Sequence, residues 1–193
     1  MRSPKSVWIA LVTLIFGVQC DRSTPDDAWI EQARSLTGEF QATLKGKLVT
    51  AMKEGGPPRA IEICNVEAPK IESQITGGKA ADWTASRTAL RIRNPKNAPT
   101  DWQKEGLIEI ERRISAGEPP DRVDWRGHRG DHFVYMRPIM MDRLCMTCHG
   151  PLGSIPPTVK TELDRLYPQD EATGFSMGDL RGAFVVTGPR TRR

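Results

Sequence analysis

The chain has 193 residues, 38% of them apolar, with 17 glycines, 15 prolines and a formal charge of +4 at pH 7. That length and apolar share suit a single domain with a real core and exclude a disordered tail, while the Gly and Pro content predicts many turns. Four cysteines are too few for a disulfide-stapled scaffold, and the only basic block, Arg190, Arg192 and Arg193, gives no reason to expect nucleic acid.

Residues 1–20 read as a leader. Arg2 and Lys5 precede the uncharged run Val7 to Val18, which fits the apolar region of a signal peptide and is short for a membrane span. The run ends at Cys20, a candidate lipid acceptor, although Gly17, Val18 and Gln19 are not the usual residues before a lipidated cysteine. The expectation is a signal peptide or lipoprotein leader and a periplasmic or otherwise extracytoplasmic protein, membrane-anchored if Cys20 is lipidated. Residues 26–190 are expected to form one domain, and 190–193 a basic tail.

Within that domain, Trp29, Ala33, Leu36, Phe40, Leu44, Leu48 and Met52 recur every three or four residues and predict one long amphipathic helix over 26–54. Gly55-Gly56-Pro57-Pro58 ends it. Ala60 to Val66 reads as a short helix carrying Cys64. A separate helical turn is expected from Pro69 through Ile75, closed by Gly77-Gly78. Alternation over Thr84–Ile92 predicts a strand. Thr100, with Gln103 three residues on, predicts a capped helix whose apolar face is Trp102, Leu107, Ile110 and Ile114 and which Gly117 closes. Arg122–Arg126 and His132–Ile139 read as a hairpin. A short helix over Pro157–Leu166 and a last strand over Gly182–Thr187 follow. The fold class is α+β: a long N-terminal helix, flanking helices and an antiparallel sheet of three to five strands.

The chemistry is concentrated in Cys145-Met146-Thr147-Cys148-His149. C-x-x-C-H is a haem-attachment signature. Two thiols three residues apart on a helical turn can each form a thioether with one vinyl group of the same macrocycle, and the histidine that follows can ligate the iron. At this composition the pattern arises by chance on the order of 10⁻³ times per chain. A thioredoxin-like dithiol, a zinc site and a Cys145–Cys148 disulfide are the competing readings. For the second axial ligand the residues leave Cys64, Met136, Met140, Met141, His128 and His132 open. Arg91, Arg93 and Arg137 are candidate partners for haem propionates. Trp125, Phe133 and Tyr135 are candidate pocket residues.

The segments Ala60–Pro69, Leu90–Pro99, Arg137-Pro138-Ile139, Cys145–Gly150 and Gly178–Ala183 occur in an order that resembles a family of small c-type haem proteins with a PAS-like fold, long catalogued as a domain of unknown function. Members stand alone or serve as sensing modules of bacterial signalling proteins. The resemblance spans about residues 28–190. It implies one covalent haem c held by Cys145 and Cys148, with His149 and Cys64 as the axial ligands of the iron. A thiolate ligand implies a low reduction potential. Together with the leader, this points to an extracytoplasmic monohaem cytochrome for electron transfer or redox sensing, with a redox or signalling protein as partner; an enzyme is not expected, since no base, nucleophile or substrate cleft can be named from the sequence. The alternatives are a gas sensor acting through a separate partner, and an accessory protein whose haem is structural.

Overall fold

The computed structural model describes residues 25–77 and 82–190; the leader, Cys20 and residues 191–193 lie outside them. The first element, α1 (Pro25–Gly77), is two helical limbs joined by a kink, because Gly55 and Gly56 leave helical geometry. Gly56 takes φ 70°, ψ −167°, a conformation costly for any residue with a Cβ. Pro57 and Pro58 then occupy the opening of the second limb, where a missing N–H costs little.

The two helices expected over 60–66 and 69–75 are therefore one. Pro69 sits inside the second limb and removes one helical hydrogen bond. The limb continues because its stripe Ile61, Ala68, Ile71 and Ile75 is buried on both sides of the proline. Cys64 falls in the same stripe, spaced 3, 4, 3 and 4 along it.

Strands β1 (Thr84–Thr88), β2 (Trp125–Arg129), β3 (His132–Met140) and β4 (Leu180–Arg190) form one antiparallel sheet in the order β1-β4-β3-β2. Its β2–β3 hairpin pairs Arg129 with His132 across Gly130-Asp131, so β2 starts three residues later than the sequence suggests. Between the hairpin and β1 lies α2 (Asp101–Ser115). The Thr100 N–H donates to Gln103 Oε1 at 2.9 Å, closing the expected cap. Two short helices, α3 (Met146–His149) and α4 (Pro157–Leu166), follow β3.

Helices cover both faces of the sheet. Phe40, Leu36, Ala33 and Ile30 of the first limb, and Ile71 and Ile75 of the second, pack on Phe133, Tyr135, Phe184 and Val186. Leu107 and Ile110 of α2 pack on Met136, Ala183 and Val185 from the other side. Since Ile71 and Ile75 share a cluster with Ile30 and Ala33, the two limbs of α1 fold back on one another. Among the described residues no helix is long and apolar enough to cross a membrane.

The strand expected over 84–92 stops at Thr88. The Thr88 carbonyl oxygen lies so close to Gly182 of β4 that a Cβ there would collide with it. The Thr88 hydroxyl donates to the Asn97 carbonyl at 3.1 Å, which turns the chain out of the sheet. Ala89, Ile92 and Arg93 then line a space that α1 also borders.

Phe40 is fully buried, with its ring 4.9 Å from Phe184. Phe40→Ala removes the side chain that joins α1 to the sheet and should lower stability by about 3–5 kcal/mol. Urea denaturation followed by circular dichroism reads this directly; a loss below about 1 kcal/mol would mean that α1 is not anchored there.

Candidate functional site

A cavity of about 340 Å³ opens between the two limbs of α1, the ends of β1 and β4, and α3. Leu44, Leu48 and Met52 of the first limb wall one side, so the helical stripe that packs on the sheet at Phe40 becomes a cavity wall farther along. Ala60, Ile61 and Cys64 of the second limb form another side. Cys145, Cys148 and His149 close a third. The thiol at Cys64 and the Cys-x-x-Cys-His turn, about 80 residues apart in sequence, thus face one space.

The turn is held from behind. Asp142 Oδ1 accepts from the Leu144 N–H at 2.9 Å and from the Cys145 N–H at 3.2 Å. Its other oxygen pairs with Lys45 Nζ of α1 at 2.6 Å. Cys148 N and His149 N both donate to the Cys145 carbonyl, giving the single helical turn that sets the two cysteine side chains one turn apart.

His149 Nδ1 lies 2.6 Å from the Ala172 carbonyl oxygen. A carbonyl only accepts, so Nδ1 carries the proton and Nε2 keeps its lone pair, the arrangement that a metal-ligating histidine needs. The longer 3.3 Å contact from Arg181 Nε to Nδ1 is then an electrostatic neighbour rather than a hydrogen bond. Burial pushes the His149 pKa well below the usual imidazole range, and the Arg93 and Arg181 charges push the same way. The imidazole is neutral.

Burial also raises the thiols. Cys148 is pushed up to about 11, while Cys145 and Cys64 move in the same direction; Arg87 and Arg93 partly offset the shift at Cys64. Without a cation to hold the charge, all three cysteines are protonated at neutral pH.

Arg93 organises the polar wall. It forms a pair with Asp170 at 2.9 Å, and both side chains are nearly buried, at 12% and 10% exposure. It also donates to the Cys148 carbonyl at 2.5 Å, and its Nη1 lies 3.5 Å from His149 Nε2. Asp170 Oδ1 in turn accepts from the Ala172 N–H at 2.8 Å, fixing the carbonyl that orients His149. On the opposite side Tyr167 donates to Asn65 Oδ1 at 3.0 Å, next to Cys64. Ile61 packs with Val159 and Leu163 of α4 and with Cys148. These contacts set the second limb of α1 against the C-x-x-C-H turn.

Of the three arginines singled out from the sequence, Arg93 lines the cavity. Arg91 does not: its guanidinium lies over the Phe175 ring at 4.0 Å, outside the cavity wall. Arg137 is on β3 beside Gly38 of α1 and is not among the lining residues. Arg87, Lys96 and Arg181 supply the other cations of the wall. Met136 is buried in the opposite core, and Met141 packs with Ala172 and Phe175. Met140 is likewise absent from the lining. His128 and His132 belong to the β2–β3 hairpin: His128 edges on Phe133 and lies near Asp26, and His132 faces Gly188. Trp125 packs on Trp102, while Phe133 and Tyr135 belong to the core under α1. Met52 is the lining methionine, and sequence reasoning passed it over as part of a core stripe. Among the described residues no cluster of three or more His, Cys, Asp or Glu converges in a way that could hold a metal ion.

A family model described as Tll0287-like matches residues 22–189. The chain belongs to the Tll0287-like family. Its fold is similar to the crystal structure of the cyanobacterial haem protein Tll0287, with a TM-score of 0.66 at 23% identity over 89% of this chain and 99% of that one. No curated protein matches.

Asp170→Ala strips Arg93 of its carboxylate and the Ala172 N–H of its acceptor. Stability should fall by about 3–5 kcal/mol, as when one partner of a buried ion pair is removed. Asp170→Asn keeps an oxygen for the Ala172 N–H and should cost less. Equal losses in the two variants would contradict this division of labour.

Proposed function

We propose that the protein binds one haem c, attached through Cys145 and Cys148, with His149 and Cys64 as axial ligands. The observation that carries this reading is that all four side chains line one cavity whose helical side is mostly aliphatic, apart from Asn65 and Glu72, and whose polar wall is cationic at Arg87, Arg93, Lys96 and Arg181. A flat apolar macrocycle with two carboxylates matches that division. The relative's description as a haem protein supports the same reading.

Each residue has a distinct task. Cys145 and Cys148 would hold the macrocycle through two thioether bonds, one from each sulfur. His149 presents Nε2, with its tautomer set by Ala172. Cys64 is half-buried and its thiol is protonated on its own, so holding the iron as a thiolate would require release of that proton. Thiolate charge favours ferric over ferrous iron, which lowers the reduction potential relative to a methionine ligand. Arg87, Arg93 and Lys96 are placed to meet the propionates, with Arg181 behind them against His149; this reading moves that role away from Arg91 and Arg137. The haem supplies one-electron chemistry when bound.

Taken with the leader expected over residues 1–20, the protein acts outside the cytoplasm. There it serves electron transfer or redox sensing with a protein partner, and not catalysis. With His149 and Cys64 both held, the iron would offer no open position to a gas, which favours this over gas sensing.

Cys64→Ala should leave the covalent haem in place but change the ferric absorbance and paramagnetic-resonance spectra from low-spin thiolate-ligated to a different form. The midpoint potential should rise. A ferric spectrum that Cys64→Ala leaves unaltered would remove Cys64 from the ligand set. Met52→Leu should leave the ferric spectrum unchanged.

A further inference from the structure

Behind the wall formed by Arg181 and Gly182 lies a second cavity, of about 370 Å³. Arg181 and Gly182 line both spaces, so the second cavity abuts the first on its His149 side. Leu90, Leu107, Ile114 and Leu180 make its walls apolar, and Arg91 and Arg181 bring two guanidinium groups to it. These two flank one ring: Arg91 lies 4.0 Å and Arg181 5.6 Å from the centroid of Phe175. The Phe175 ring in turn stands edge-on to the His149 imidazole, with centroids 6.3 Å apart.

Among the described residues neither arginine forms an ion pair with a carboxylate; Asp170, paired with Arg93, acts on Arg181 through its charge alone. Arg91 Nε donates to the Glu171 carbonyl at 3.3 Å. Arg181 Nη1 donates to the Arg91 carbonyl at 3.1 Å, and its Nε faces His149. Two acidic residues also line the cavity, and neither forms an ion pair with these arginines. Asp179 accepts from the Ser176 N–H at 2.7 Å, and Glu111 is an exposed residue of α2.

We propose that this second cavity binds a small organic carboxylate with an apolar body, its carboxylate on Arg91 and Arg181, and that its occupancy tunes the haem through Arg181 and His149. The site rests on the geometry above; its coupling rests on the haem reading. Apolar walls and paired guanidinium groups select this ligand class: an inorganic anion leaves the walls unfilled, and a hydrocarbon leaves the guanidinium groups unpaired. The direction of coupling follows from charge. An anion beside Arg181 offsets a positive charge next to the iron's histidine and thereby favours the ferric state. By reciprocity, the ferric protein binds the carboxylate more tightly.

Benzoate is a suitable probe, with benzyl alcohol as the uncharged control and chloride at equal ionic strength as the screening control. Calorimetry on the full protein reads the site, and potentiometric titration reads the coupling. Benzoate should bind saturably and lower the midpoint potential; a tenfold preference for the ferric form corresponds to about 59 mV. Benzyl alcohol and chloride should do neither. Arg91→Gln should weaken benzoate at least tenfold, and Ile114→Trp should abolish binding by filling the cavity without altering either arginine. Absence of benzoate heat, or heat unchanged in both variants, would overturn the site. Binding without a shift in the potential of a haem-loaded protein would overturn the coupling. A protein that binds benzoate through Arg91 yet carries no haem would overturn the haem reading and leave the carboxylate site standing.

Discussion

The reversal of α1 at Gly55-Gly56 is the constraint on which the site depends. Without it the 53-residue element would run on as one rod, and Cys64 would be carried away from the sheet. With it, Ile71 and Ile75 return to the cluster begun by Ile30 and Ala33, and Cys64 is delivered to the same cavity as Cys148 and His149. The left-handed φ of Gly56 is a local backbone property, yet it decides that residues about 80 positions apart line one cavity. The core does the rest: the packing that stabilises the folded-back limb also fixes the distance across the cavity.

A second constraint is electrostatic. The polar wall gathers Arg87, Arg93 and Arg181, with Glu72 on Arg87 and Asp170 on Arg93 as carboxylate partners. Such a surplus of cations beside apolar walls is costly unless an anion completes it. A macrocycle carrying two propionates is one completion, and a carboxylate in the neighbouring cavity is another. The two readings use opposite sides of one wall, and Arg181 stands between the two spaces. His149 lies against that wall, its tautomer set by the Ala172 carbonyl and its charge state by burial.

Much of this was legible in the sequence, for physical reasons that can be named. The first limb of α1, α2 with its Gln103 cap, α4 and the β2–β3 hairpin follow from local periodicity and capping. The C-x-x-C-H turn is a local motif, and Cys64 came from the resemblance around Ile63-Cys64-Asn65. What was missed depends on tertiary pairing. Pro69 suggested a break, but burial on either side of it carries the helix through. Leu90-Arg91-Ile92-Arg93 looked like continued alternation, which would put both arginines on one face. Because β1 ends at Thr88, the two diverge: Arg93 enters the cavity and Arg91 covers Phe175. Arg181 sits in a segment that helped carry the resemblance, yet nothing local marked its guanidinium as a neighbour of His149. Met52 followed the periodicity of a core stripe, and only the end of the sheet beneath it makes that part of the stripe a cavity wall.

The central claim is that Cys145 and Cys148 hold a haem covalently. Its most direct measurement is the intact mass of the exported, denatured protein together with its pyridine haemochrome spectrum. The account predicts one haem per chain that survives acid–acetone extraction and gives the haemochrome of a macrocycle with both vinyl groups saturated, and loss of one thioether in Cys148→Ala. A protein exported with haem-attachment machinery that yields only the bare polypeptide mass, or one whose haem is extracted freely, would contradict it.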